Sequence, residues 1–117
     1  MKYDIKEFIA EAGKEVVITF ENPYFMQHNL LILSPGSLQK VGLAADRMAS
    51  VSGAAENDYV PDMEEVFFHT PLVDPEKTVT LSFTAPTELG AYPFVCTFPG
   101  HWRIMQGMMK VVGPETI

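Results

Sequence analysis

Hydrophobic side chains recur at every second residue through most of this chain, the period of strands with one buried face. Thr78 to Thr84 is the clearest case, with Val79, Leu81 and Phe83 pointing one way and Thr80 and Ser82 the other. Glu15 to Phe20 repeats the pattern through Val16, Ile18 and Phe20. Further strands are expected at Tyr3 to Ile9, His28 to Ser34, near Glu65 to Thr70, Gly90 to Cys96 and Met108 to Val112. The period puts His28, Leu30 and Ile32 on one face, and Tyr92, Phe94 and Cys96 on another. Ala12-Gly13-Lys14 and Asn22-Pro23 are turn and break signals between the early strands. One stretch departs from the alternation. Leu38, Val41, Ala45 and Met48 fall at helical spacing, Ser37 stands where an N-cap would, and Gly53 ends the segment.

The expected fold is therefore all-β, a Greek-key β-sandwich of about seven strands with one helical excursion near residues 37–52. A length of 117 residues, 47% hydrophobic and without linkers or repeats, leaves room for one core, so residues 1–117 read as a single domain. Leu89-Gly90-Ala91-Tyr92 resembles a tyrosine corner, with the tyrosine four residues before the cysteine and not two.

Charge narrows the function. A net charge of −7 removes the basic footprint of a nucleic-acid binder and argues against docking on anionic lipid. The longest uncharged run, Asn22 to Gln39, holds two prolines and several polar side chains, so it is not a membrane span. Met1-Lys2-Tyr3-Asp4 lacks the apolar stretch of a secretory signal. A cytosolic chain, a mature chain and an excised domain all fit that start. Cys96 is the only cysteine, which excludes an internal disulfide. Leu89 to Met109 carries one charge, Arg103. Such segments are core, or an apolar surface kept for a partner.

Cys96-Thr97-Phe98-Pro99-Gly100-His101-Trp102-Arg103-Ile104-Met105 places a thiolate, an imidazole and a thioether within ten residues. Pro99 fixes one torsion and Gly100 allows a positive φ, so the chain can turn tightly between donors. His28 supplies a second imidazole from an inward-facing strand. Two histidines and a thiolate with a distant thioether form the blue-copper electron-transfer arrangement. Singly, a buried cysteine is packing, a core histidine is satisfied by hydrogen bonds, and methionine is filler. Together, with the turn between them, they are poorly explained by packing. Zinc also takes His and Cys, but structural zinc sites favour more of both and no Met. His69 has no partner at matching spacing and reads as a surface or hydrogen-bonding residue.

With those residues in view, the chain resembles the cupredoxin family, and within it the azurin and auracyanin group. The loop from Cys96 to Met105 matches the azurin loop in sequence and length, and Gln27-His28-Asn29 resembles the auracyanin segment. Met48-Ala49-Ser50, Asp58-Tyr59, His69-Thr70 and Glu76-Lys77 extend the likeness over most of the chain from Asn22 onward. The resemblance implies one copper ion, cycling between Cu(I) and Cu(II), with His28, Cys96 and His101 as equatorial ligands and Met105 axial. Azurins have glycine before the first histidine; here it is Gln27, whose carbonyl would be the weak fifth ligand. Asn29 would tie its segment to that of Thr97, and the Phe98 amide would donate to the Cys96 sulfur. The azurin disulfide has no counterpart.

The family further implies an electron carrier and not an enzyme, with the His101 edge as port in an apolar patch. Phe25, Met26, Pro99 and Trp102 are the candidates for that patch, Trp102 being equally a packing residue under the loop. Expected partners are redox proteins such as a cytochrome or a copper or haem oxidoreductase, met by a monomer in transient complexes without nucleic acid or membrane insertion. The expected location is extracytoplasmic, in the bacterial periplasm. Two other readings stay open: a copper-binding or delivery module, and the electron-entry domain of a larger redox enzyme.

Overall fold

The strongest alternating segments pair with each other. β1 (Glu7–Glu11) leads into β2 (Glu15–Glu21), β3 (Leu31–Leu33), α1 (Leu38–Met48), a short 3-10 turn (Ala55–Asn57), β4 (Val66–His69), β5 (Thr78–Thr84), β6 (Gly90–Val95) and β7 (Gln106–Val112). The computed structural model describes residues 2–114. β2 and β5 form an antiparallel ribbon with Ile18 opposite Leu81 and Phe20 opposite Val79. The other five strands form a second sheet in the order β1-β7-β6-β3-β4. Four of the six strand-to-strand connections pass between these sheets, as a Greek-key β-sandwich requires.

Two apolar clusters divide the interior. Phe20, Leu30, Ile32, Phe83, Phe94 and Cys96 fill the space between the sheets. Leu31, Leu33 and Val95 face the other way, onto Val41, Ala45 and Trp102. β3 and β6 are thus covered on both faces, so Leu31-Ile32-Leu33 is an unbroken apolar run, all at 0% exposure. Each such side chain contributes about 1.5–3 kcal/mol by leaving water. The helical excursion is the second cover, and its buried positions are Val41, Gly42, Ala44 and Ala45.

Several boundaries differ from the expected ones. β1 begins at Glu7, and Tyr3 lies outside it. The Tyr3 ring packs edge-on against Phe20 and Phe94, and its hydroxyl donates to the Asn29 carbonyl at 2.7 Å. β3 is cut to three residues because the backbone before it pairs elsewhere. His28 exchanges two hydrogen bonds with Val73, and the Leu30 amide donates to the Thr70 hydroxyl. β7 starts two residues early, at Gln106, where Gly107 lets Phe94 and the Lys6 carbonyl approach its backbone. Ser37 occupies the N-cap of α1 but makes no side-chain bond to the helix; its hydroxyl turns back to the Ser34 carbonyl at 2.7 Å. The helix ends at Met48, ahead of Gly53. The Tyr92 hydroxyl donates to the Glu88 carbonyl at 2.6 Å, the bond of a tyrosine corner.

Candidate metal centre

β6 delivers Cys96 to the end of the sandwich, where the strand gives way to a turn. Gly100 adopts φ 83° there, the left-handed conformation that glycine reaches without cost. The His101 amide donates to the Phe98 carbonyl, the Met105 amide to His101, and the Cys96 amide to Met105, at 3.0, 2.8 and 3.0 Å. These bonds fold the loop back onto itself. His28 arrives from the segment before β3, braced by Val73.

The result is a buried cluster of three donors, His28, Cys96 and His101, whose ligand atoms all lie within 4.8 Å of one another. Cys96 Sγ is 3.8 Å from Nδ1 of each histidine. The two imidazoles stack at 4.9 Å between centroids, tilted by 35°. Met105, 2% exposed, shares the core cluster of Cys96 and lines a cavity of about 320 Å³ together with His28. His69 is exposed, bonds the Thr70 carbonyl and has no part in the cluster.

Electrostatics disfavours a thiolate–imidazolium pair in the metal-free cluster. Burial, and then the neighbouring His101, lower the His28 pKa to about 4, so the ring is neutral at physiological pH. Burial also lowers His101. Burial pushes the Cys96 thiol up to about 11, although the backbone N–H groups of Asn29 and Phe98 donate to its sulfur and offset part of that rise. Nε2 of His28 is buried with no hydrogen-bond partner among the described residues. A proton on Nε2 leaves the Nδ1 lone pair facing Cys96. Donors about 2.0–2.3 Å from one first-row ion, spread trigonally, stand roughly 3.7 Å apart. The sulfur–nitrogen separations of 3.8 Å fit that demand. Neutral imidazoles, one thiolate and a thioether are the donor set suited to copper.

The surrounding polar groups orient this set. Asn29, at 0% exposure, accepts from the Thr97 amide at 2.8 Å and donates to the Thr97 hydroxyl and the Asp58 carbonyl, both at 2.9 Å. The Thr97 hydroxyl donates to the Tyr59 carbonyl at 2.7 Å. Asp58 and Tyr59 take φ values of 58° and 55°, a left-handed pair that aims both carbonyls inward. Gln27 is anchored by its side chain, which donates to Asp74 at 2.7 Å.

Of the four patch candidates, Phe25 is 83% exposed, while Met26 and Pro99 are half-buried. Trp102 takes the packing alternative. Its ring is seated among Leu31, Leu33, Val41 and Val95, in the apolar cluster between the sheet and α1. The reason is α1, which forms a floor beneath the loop. Sequence reasoning overlooked Tyr3, Gly42 and the carbonyls of Asp58 and Tyr59. An interior glycine in a helix was the one usable signal, since it weakens a helix unless something must approach closely.

Comparison with known proteins agrees with this centre. Residues 1–112 match the copper binding proteins of the plastocyanin/azurin family. Auracyanin-A of Chloroflexus aurantiacus is 33% identical over 113 residues, covering 95% of this chain and 67% of that protein. Outer membrane protein H.8 of Neisseria meningitidis serogroup B is 34% identical over 121 residues, covering 96% of this chain and 62% of that protein. The chain thus spans about two thirds or less of the length of these relatives. The solved structure of auracyanin A, described as a "blue" copper protein of C. aurantiacus, superposes with a TM-score of 0.81 at 33% identity, covering 93% of this chain and 87% of that one. With a two-sheet fold, a buried His28–Cys96–His101 cluster and this likeness, the chain belongs to the plastocyanin/azurin family of copper-binding proteins.

Proposed function

We propose that this chain is a one-electron carrier and not an enzyme. Bound copper would supply the chemistry, alternating between Cu(I) and Cu(II) without transforming a substrate. The single observation that carries the reading is two histidine nitrogens facing one buried sulfur, each at 3.8 Å. His28, Cys96, His101 and Met105 would hold the ion, with the Gln27 carbonyl as a weak further donor. Asn29, Thr97 and the Phe98 amide hold the sulfur and its loop in one geometry, so that little rearranges between oxidation states. The donors are enclosed, at 8% exposure or less, which favours retention over handing the metal on.

The electron port in this reading is the His101 imidazole, whose ring contacts Phe98 at 4.9 Å. Phe25, Met26 and Pro99 form the apolar surface met by a redox partner such as a cytochrome or a copper or haem oxidoreductase. Small apolar encounters of that kind release quickly. An extracytoplasmic site of action is supported by the likeness to a protein called an outer membrane protein. No helix among the described residues is long and apolar enough to cross a membrane.

The test is the absorption and electron paramagnetic resonance spectrum after one equivalent of Cu(II). An intense thiolate charge-transfer band with compressed copper hyperfine splitting is expected, and its loss in Cys96→Ser. A pale wild-type spectrum with ordinary splitting would put a copper-delivery role ahead of the carrier.

A further inference from the structure

Four positions separate His101 from Met105, and the two residues after His101 are fastened to a helix that supplies no donor. The Trp102 indole lies directly on the α1 backbone at Gly42, where a Cβ would collide with Cδ2, Cε3 and Cε2 of the ring. One turn further along, Asp46 binds both consecutive loop residues. Its Oδ1 accepts from Trp102 Nε1 at 3.0 Å, and its Oδ2 accepts from the Arg103 guanidinium at 2.8 Å. The guanidinium carbon in turn sits 4.4 Å from the centroid of the Trp102 ring. Gln106 closes the arrangement from β7, donating to the carbonyls of Trp102 and Arg103 at 3.2 and 3.3 Å.

The chemistry of this lock differs from ordinary surface pairing. An exposed Arg–Asp pair contributes little by itself, and the Arg103 side chain is 58% exposed. Asp46 also holds an indole N–H whose ring is nearly buried, and it does so at the stretch that links two ligands. Glycine in a helix interior is unfavourable relative to alanine. At Gly42 that disadvantage is the condition for the indole to reach the helix backbone. Gly42 and Asp46 are four residues apart, on one face of α1.

We propose that α1 is a positioning element for the metal centre: Gly42 and Asp46 lock Trp102 and Arg103 so that His101 and Met105 keep their spacing. The inference rests on the proposed copper site, and it assigns control of that site's geometry to a helix outside it. Gly42, Asp46, Trp102 and Arg103 are positioning residues; none is a ligand. Because the lock contains no metal, it holds the turn in the metal-free protein as well.

The experiment compares wild type with Asp46→Ala, Asp46→Asn and Trp102→Phe. In the metal-free protein, amide hydrogen exchange is read at Ile104 and Met105, whose N–H groups close the turn onto the His101 carbonyl. The β5 amide of Leu81 serves as the internal reference. Asp46→Ala and Trp102→Phe are expected to speed exchange at Ile104 and Met105 at least tenfold while Leu81 changes little. Asp46→Asn keeps an acceptor for the indole and is expected to fall between. After copper loading, Asp46→Ala and Trp102→Phe are expected to shift the charge-transfer band pattern and the reduction potential, with Asp46→Asn closer to wild type. Exchange rising equally at Leu81, with unaltered spectrum and potential, would overturn the proposal, because the residues would then be ordinary packing. A wild type lacking the thiolate band would defeat the copper assignment instead, while the exchange data still judge the lock.

Discussion

Replacing Asn29 with alanine removes a side chain that ties the His28 segment to the Cys96 segment through hydrogen bonds. Three hydrogen bonds go with it: from the Thr97 amide at 2.8 Å, and to the Thr97 hydroxyl and the Asp58 carbonyl at 2.9 Å each. Their losses are unequal. Thr97 is 1% exposed, so its amide is left buried without an acceptor, at about 1–3 kcal/mol. Its hydroxyl keeps the bond to the Tyr59 carbonyl. Asp58 is only half-buried, and water can take over at its carbonyl. The void left by a fully buried side chain adds about 1 kcal/mol. The expected loss is about 2–4 kcal/mol, or roughly 8–16 °C in melting temperature for a domain of this size. Urea unfolding of the metal-free protein measures it directly, since no ligand linkage then contributes. Thr97→Val, which retains the amide and deletes only the hydroxyl, should lose less. A double-mutant cycle between the two positions should show coupling above 0.5 kcal/mol. A loss for Asn29→Ala below about 1 kcal/mol would refute the reasoning, because a buried orphan amide cannot be that inexpensive.

Three other outcomes follow from the same centre. Met105→Leu should keep the thiolate colour and raise the reduction potential, by about 59 mV for each tenfold shift in preference from Cu(II) toward Cu(I); voltammetry showing a lowered potential would remove Met105 as axial ligand. Copper binding at pH 8 should release close to one proton per ion, since the Cys96 thiol, pushed up to about 11, is protonated beforehand and His28, near 4, is not; a pH-stat titration finding none would exclude thiolate coordination. Metal-free protein should lose stability on acidification. The His28 pKa is lower folded than unfolded, so its contribution is complete above the ordinary value of 6.5 and is lost between there and about 4. That window is worth on the order of 3 kcal/mol at roughly 1.4 kcal/mol per pH unit. Urea midpoints unchanged from pH 7 to 4.5 would contradict the burial of His28 as the cause.

The legibility of this protein depended on how local each feature is. Period-two alternation marked β2 and β5 closely, because each has one face in the core and one in water. It misplaced β1 and overextended β3. Tyr3 reads as a strand residue by pattern but is used as a core plug, and His28 reads as strand but pairs with a loop residue, Val73. The donors from Cys96 to Met105 were legible since they lie within one turn whose Pro99 and Gly100 announce its shape. His28, 68 residues earlier than Cys96, is legible from the alternation that puts it on an inward face with Leu30 and Ile32, and the resemblance to known cupredoxins then gives it a ligand's role.

What the linear chain determined by itself was the strand-rich class, the donor types and the turn that gathers three of them. Those properties depend on the residue at each position and its near neighbours. What the tertiary structure alone decided was which partners face them across long sequence distances. Helix α1 carries its own periodicity, yet nothing in that pattern says it lies under the ligand loop with Gly42 against Trp102. Asp58 and Tyr59 offer only backbone carbonyls to Asn29 and Thr97, and every residue type has a carbonyl to offer. Packing between distant segments selects such contacts, so side-chain identity leaves no mark from which they could be read.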